Sequence, residues 1–222
     1  MHDMLRLKNT SILLFLFSFC TAQDKASLTA MDVVANVQST YSSLTDASAE
    51  FTQTVRFKYT KNEQRFAGTV QMKKGNRYRV ASPQQTLVTD GKTVWVYSPV
   101  NKQVVIDAYK ENAQTFSPEK FIFGLPKNYS AVFVGDRTGD VVVLKLAPRA
   151  GTNAFIKSLK VWIAEADWTA QRIEFVDGNE TQTIYTVRNF RKNSGLADAL
   201  FILEPPPGVE EVDLRSMSSP SK

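Results

Sequence analysis

The stretch Val88–Ile106, VTDGKTVWVYSPVNKQVVI, decides how this chain folds. Asp90-Gly91 supplies the positive φ of a tight turn and Ser98-Pro99-Val100-Asn101 supplies the next, so the stretch reads as a β-hairpin. Its middle strand, Val94-Trp95-Val96-Tyr97, breaks the apolar–polar alternation of an antiparallel strand with one wet face. Both of its faces need a cover.

Working outward, the same rhythm continues on both sides. Upstream, Phe51, Val55, Phe57 and Tyr59 alternate with Glu50, Thr52, Thr54, Arg56 and Lys58, the period-two pattern of a half-buried strand. A turn at Lys61-Asn62 leads to a strand with Phe66, Gly68, Val70 and Met72 on one face, and Lys73-Lys74-Gly75-Asn76 turns into Arg77-Tyr78-Arg79-Val80. Downstream, AVFVGD, VVVLKLAP, SLKVWIAEAD, AQRIEFVDG and TQTIYTVRNF read as further strands. The end, FILEPPPGVEEVDL, reads as a strand running into a proline-stiffened loop and one last short strand.

Two segments depart from this meander. Leu28, Met31, Val34, Val37, Tyr41 and Leu44 recur at spacings of three and four, one stripe of an amphipathic helix opened by a Thr29–Asp32 capping box. FSPEKFIFGLP, with a Ser-Pro start and a Gly stop, predicts a short helix carrying Phe121, Ile122 and Leu125. The expected fold is therefore mainly β (α+β): one large antiparallel sheet of about ten strands, strongly curved or barrel-like, with two helices.

The first residues read differently from this domain. Arg6 and Lys8 precede the apolar run SILLFLFSFC, too short for a membrane span and right for a signal peptide, with Cys20 and Ala22 at −3 and −1 of a cut before Gln23. Residues 1–22 are expected to be removed, 23–215 to form a single domain and 216–222 to be a disordered tail. A lipidated Cys20 is disfavoured because Phe19 is bulky where a lipidation signal needs a small residue.

His2 and Cys20 are the sole histidine and cysteine, and both lie in the segment expected to be lost. A mature chain without them excludes a Ser-His-Asp triad, a Cys nucleophile, His- or Cys-ligated zinc and disulfides. No metal or cofactor is expected. Removal of Asp3, Arg6 and Lys8 leaves 25 basic against 21 acidic residues, a net charge of +4. The basic residues are dispersed and the chain is exported, so nucleic acid is not an expected partner, whereas anionic lipid surfaces suit the charge.

The doubly apolar strands VWVY, QVVI, VVVLKL and KVWIA admit two readings. Either helices and neighbouring loops cover the second face, or the sheet and helices enclose more apolar surface than they need and line a ligand cavity. Periodicity alone leaves both open.

YSSLTDASAEFTQTV with a Gly-containing strand after it, KKGNRYRV, LVTDGKTVWVYSPVNKQV, SPEKFIFG and NFRKNSGLADALFILEPPPGVEEVD together resemble the LolA family, periplasmic carriers of outer-membrane lipoproteins in Gram-negative bacteria. The likeness runs in order over nearly the whole mature chain. It implies an unclosed, strongly curved antiparallel β-barrel with an α-helical lid over a hydrophobic cavity for acyl chains. It also implies a monomer that takes lipoproteins from an inner-membrane ATP-driven releasing complex and passes them to an outer-membrane receptor. The cavity wall is then expected at Phe51, Val55, Phe57, Val70, Met72, Tyr78 and Val80, with Trp95, Tyr97, Trp162 and Phe175 as further members. The lid is expected at Leu28, Met31, Val34, Val37, Phe121, Ile122 and Leu125. The family's lid-latching Arg, in a Lys/Arg-Arg-Pro motif, corresponds to Lys74, with Gly75 where Pro is expected; Lys keeps the charge without the planar fork.

Two other functions compete with the carrier. One keeps the fold and binds glycolipid or senses lipoproteins without transferring them. The other is a periplasmic hydrolase, for which only the pairs Glu210-Glu211 or Glu174 with Asp177 could serve as acid and base. No catalytic residue is expected.

Overall fold

The computed structural model describes residues 28–110, 128–135, 139–151 and 156–215. Within them the chain forms one α-helix, α1 (Ala30–Ser43), followed by β1 (Asp46–Arg56), β2 (Glu63–Lys73), β3 (Arg77–Ala81), β4 (Thr86–Asp90), β5 (Thr93–Ser98) and β6 (Gln103–Ala108). Then come β7 (Tyr129–Phe133), β8 (Val141–Pro148), β9 (Ile156–Ala164), β10 (Thr169–Asp177), β11 (Gln182–Lys192) and β12 (Glu210–Asp213). All twelve strands join one sheet in the order β12-β6-β5-β4-β3-β2-β1-β11-β10-β9-β8-β7, an unclosed curved sheet with β12 and β7 at its ends. Every neighbouring pair is antiparallel except β12 on β6.

The turns are set by local chemistry. Asp90 Oδ1 accepts from the amides of Lys92 and Thr93, at 2.8 and 2.7 Å. Gly91 has φ +89°, and a Cβ there would lie 2.2 Å from the Gly75 carbonyl oxygen. The β4–β5 and β2–β3 turns are thus packed back to back, and only glycine fits at 91.

Opposed residues of an antiparallel pair share a face, so the registers trace both faces across the sheet. One face carries α1. The Thr29 and Asp32 side chains form the expected reciprocal capping box. Val33, Val34 and Ala30 pack into Val142, Leu144, Leu146, Leu159, Val161 and Ile163 as one buried cluster. A bulge on β11, opposite Ser48/Glu50, carries Asn189 at φ 52° and brings Phe190 to 5.9 Å from the Tyr41 ring of α1. The other face is covered in part by the chain after β11. There Phe201 is fully buried, and Leu203 and Val209 pack with Val88, Trp95, Tyr97, Val104 and Ile106.

This resolves the doubly apolar hairpin. Trp95 and Tyr97 lie under the C-terminal strap, while Val94 and Val96 lie on the face that carries α1. A neighbouring loop covers the second face here. The first residues of FILEPPPGVEEVDL are not a strand: Asp198–Phe201 is a 3-10 turn, and only Glu210–Asp213 pairs as a strand. The Phe201 ring anchors the strap to the sheet, and that burial replaces a ladder of backbone bonds.

Candidate functional site

The α1 face divides into two unlike halves. Over β8 and β9 it is packed solid, with Val142, Leu144, Leu146, Leu159 and Ile163 each at most 2% exposed. From β11 across to β6 its apolar residues are mostly only half-buried, Phe51, Val55, Val70, Met72, Val80, Val96 and Val105 among them. Tyr78 and the small Ala47 and Ala49 are the buried exceptions.

An aromatic row marks the border. The Phe51 ring meets Tyr185 edge-on at 6.1 Å, and Tyr185 stacks on Phe175 at 6.3 Å. Phe51 owes its position to Gly68, its partner across β1–β2: a Cβ at 68 would sit 2.7 Å from Phe51 Cζ and 2.3 Å from the Ala81 carbonyl oxygen. The missing side chain is the space the ring occupies.

The face is electrically quiet. Burial raises the Tyr185 phenol above its ordinary range. Burial first, and then the neighbouring Tyr109 hydroxyl, push Tyr78 up to about 12. Both stay neutral at any physiological pH, as an apolar lining requires.

Of the residues expected to line a cavity, Phe51, Val55, Val70, Met72, Tyr78, Val80 and Phe175 lie together on this face, and Phe57 follows β1 half-buried. Trp95, Tyr97 and Trp162 do not join them. Trp95 and Tyr97 belong to the strap cluster. Trp162 pairs with Arg172 and faces the other way, because the β10 bulge at Gln171 and the strand alternation send Val161 and Ile163 to the α1 face instead. Tyr185, Val96 and Val105 are members that sequence reading missed. In TQTIYTVRNF both Ile184 and Tyr185 suit a buried face, and only the register chooses.

Among the lid residues, Leu28, Val34 and Val37 pack on the α1 cluster. Met31 is 39% exposed: the buried stripe runs through Ala30, Val33, Val34 and Val37, which turns Met31 to the helix flank. Phe121, Ile122 and Leu125 lie outside the described residues. The end of α1 is pinned to the β9–β10 turn, where Thr40 Oγ1 donates to the Asp167 carbonyl at 3.3 Å. Lys192 Nζ also binds the Asp167 carboxylate, at 3.0 Å.

Lys74 stands exposed in the β2–β3 turn. Its backbone amide donates to the Thr45 carbonyl at 3.1 Å, and its own carbonyl accepts from Arg77 Nε at 2.9 Å. Among the described residues its ammonium has no ion pair. The cations that grip another segment are its neighbours on the opposite face. Lys73 Nζ reaches the Leu196 carbonyl and the Asp198 carboxylate, Arg77 Nη1 reaches Asp198 at 2.8 Å, and Arg79 Nη1 reaches the Leu200 carbonyl at 3.4 Å. The Lys73 and Arg77 contacts, Lys73 first, hold the Asp198 carboxyl below its ordinary range. All of them fasten the strap.

Comparison with known proteins places this geometry. Residues 42–204 match the family model described as outer membrane lipoprotein carrier protein LolA. The chain is 30% identical over 202 residues to an outer-membrane lipoprotein carrier protein of Haemophilus influenzae, covering 90% of this chain and 96% of the relative. It is 29% identical to the protein of that name from Pasteurella multocida, covering 97% and 99%. A similar solved structure is an uncharacterized conserved protein from Thermus thermophilus, with TM-score 0.54 and 19% identity over 83% of this chain and 98% of the other, a likeness of fold alone.

Proposed function

Because the chain belongs to the LolA family of outer-membrane lipoprotein carriers, we propose that it is a periplasmic carrier that shelters the acyl chains of lipoproteins against the half-buried apolar half of its α1 face. The observation that supports this reading is the contrast on that face: a packed half beneath α1, and a half lined by Phe51, Val70, Met72, Val80, Phe175 and Tyr185 that stays incompletely covered. Each buried methylene of an acyl chain is worth about 0.8 kcal/mol. A multiply acylated protein therefore cannot cross water unaided, and a carrier must shield those chains and still give them up.

The fuller proposal has five parts. The chain is exported with cleavage after Ala22. It is loaded by an inner-membrane ATP-driven releasing complex. It delivers to the outer membrane through a receptor there. Phe51, Val55, Phe57, Val70, Met72, Tyr78, Val80 and Phe175 form the wall. Leu28, Val34 and Val37 of α1 act as lid with Phe121, Ile122 and Leu125. Binding and release, with no bond made or broken, is the whole of its task.

A fluorescent long-chain probe is expected to bind the cargo-free mature protein at about one site, and a palmitoylated peptide to displace it while the unacylated peptide does not. Absence of both would return the face to ordinary core.

Lys74 carries a separate expectation. As a latch it would donate to lid carbonyls in the closed, empty state, each charged hydrogen bond being worth about 1.5–3 kcal/mol. Lys74→Arg should then raise the melting temperature of the empty protein and weaken acyl-peptide binding by about tenfold, since cargo must open what the latch holds. Lys74→Leu should do the reverse and slow release to acceptor membranes. Unchanged values in both variants make it a turn lysine.

A further inference from the structure

The face opposite α1 carries an open groove of about 840 Å³ over β9–β11, lined among others by Trp162, Gln171, Arg172, Thr186, Arg188 and Asn189. The strap covers the other end of this face and does not reach it. The Arg172 guanidinium lies 4.9 Å from the Trp162 ring centre and Lys160 Nζ 5.9 Å from it. Lys145 stands directly across β8–β9 from Lys160.

The charges are unbalanced. Glu174 is occupied by Arg172 at 3.3 Å and Gln182 at 2.8 Å, and Asp167 by Lys192 and Thr169. Among the described residues Lys145, Lys160 and Arg188 form no ion pair, and Glu50, across from Arg188, is the one uncommitted carboxylate beside them. Arg172 Nε is buried with no acceptor. A buried donor without a partner is costly, and here it borders a groove that Arg188 lines and that Lys160 flanks beside Trp162.

We propose that this groove is a docking surface for an anionic phospholipid bilayer, the lipid phosphates taking Arg172 and Arg188 while the Trp162 indole sits at head-group level. An indole ringed by Lys and Arg is the composition of a membrane-interface anchor, and long cationic stems let the charges reach phosphates while their methylenes stay on apolar surface. An acidic peptide would satisfy the cations but gives no role to the half-buried indole. The proposal extends the carrier reading to how the protein meets a membrane, and its test needs no cargo.

Cargo-free mature protein is sedimented with vesicles of phosphatidylglycerol and phosphatidylcholine, and with phosphatidylcholine alone. Binding is expected only to the anionic vesicles, to fall steeply as salt is raised, and to shift tryptophan emission to the blue in wild type but not in Trp162→Phe. Lys145→Gln, Lys160→Gln and Arg188→Gln should each lower partitioning about fivefold, whereas Lys92→Gln and Lys102→Gln, away from the groove, should not. All five variants should keep the wild-type affinity for the acyl probe, so loss of carrier function and loss of docking are read separately. Equal binding to neutral vesicles overturns the proposal. So does an equal effect of the control substitutions, a fall in probe affinity with the groove variants, or binding of an acidic peptide without any preference for anionic vesicles. Lys145 and Lys160 lie on the strand surface, so the test stands even if Arg172 variants fold poorly.

Discussion

Asp46→Ala is expected to destabilise the protein by about 3 kcal/mol, the cost of stranding two backbone donors at about 1–3 kcal/mol each. Asp46 opens β1 at 3% exposure. Its carboxylate accepts from the Ser194 amide at 2.8 Å, the Ser194 hydroxyl at 3.2 Å and the Gly195 amide at 3.0 Å. Its own carbonyl accepts from the Asn193 amide at 2.8 Å. It therefore fixes the point where β11 ends and the strap begins. For a domain of this size the melting temperature should drop by roughly 2–4 °C per kcal/mol. Amide exchange should accelerate across 194–204, and Trp95 emission should move to the red as the strap loosens.

The same residue predicts a pH dependence. Burial pushes its pKa up, but the hydrogen bonds from Ser194, Gly195 and Leu196 outweigh that and leave it below the ordinary value of 3.8. A depressed folded pKa gives stability that is present above the unfolded value and lost as pH falls through the folded one. The gap between wild type and Asp46→Asn should thus be full at neutral pH and close only below pH 3.8. A gap that stays constant down to strong acid would mean the charge contributes nothing.

Gly68→Val is expected to be as damaging and to strike the proposed acyl face as well. The new Cβ would lie 2.3 Å from the Ala81 carbonyl oxygen, a backbone atom, and 2.7 Å from Phe51 Cζ. The carbonyl cannot retreat without loosening the β2–β3 ladder, where Thr69 opposes Ala81. Overpacking of this kind costs about 1–3 kcal/mol, and displacement of Phe51 breaks its contact with Tyr185. Acyl-probe affinity should fall about tenfold, a loss of about 1.4 kcal/mol. Gly68→Ala introduces the same Cβ with less bulk. Adding Phe51→Ala to it should recover part of the stability, because one of the two close contacts is gone, but none of the affinity. Full affinity in Gly68→Ala would place the acyl site elsewhere.

How much of this could be read beforehand differs by element. The capping box at Thr29 and Asp32 and the turn at Asp90-Gly91 are contacts between residues at most three apart, and they were legible. So was the alternation that pairs Phe51 with Val55 and Val70 with Met72, because within one strand a period of two admits no other arrangement. Trp95, Tyr97 and Trp162 were not legible. In VWVY and KVWIA both faces are apolar, so the pattern carries no face label, and the answer rests on registers between distant strands and on the β10 bulge. Met31 was misplaced for a related reason: a stripe through Met31 and one through Val33 are both helical, and only the packing partner chooses.

By itself the sequence determined the strand meander, the amphipathic helix α1 and the likeness to the carrier family. Each is a property of near neighbours or of composition. The tertiary structure alone decided which apolar face is packed and which is left half-covered. It also decided that Lys73, Arg77 and Arg79, rather than Lys74, grip the C-terminal strap, and that Trp162 and Arg172 meet on the outer face. Those outcomes depend on contacts between residues more than a hundred positions apart, as with Lys73 and Asp198, or on packing between neighbouring strands. Their energies are settled only when the whole sheet is assembled.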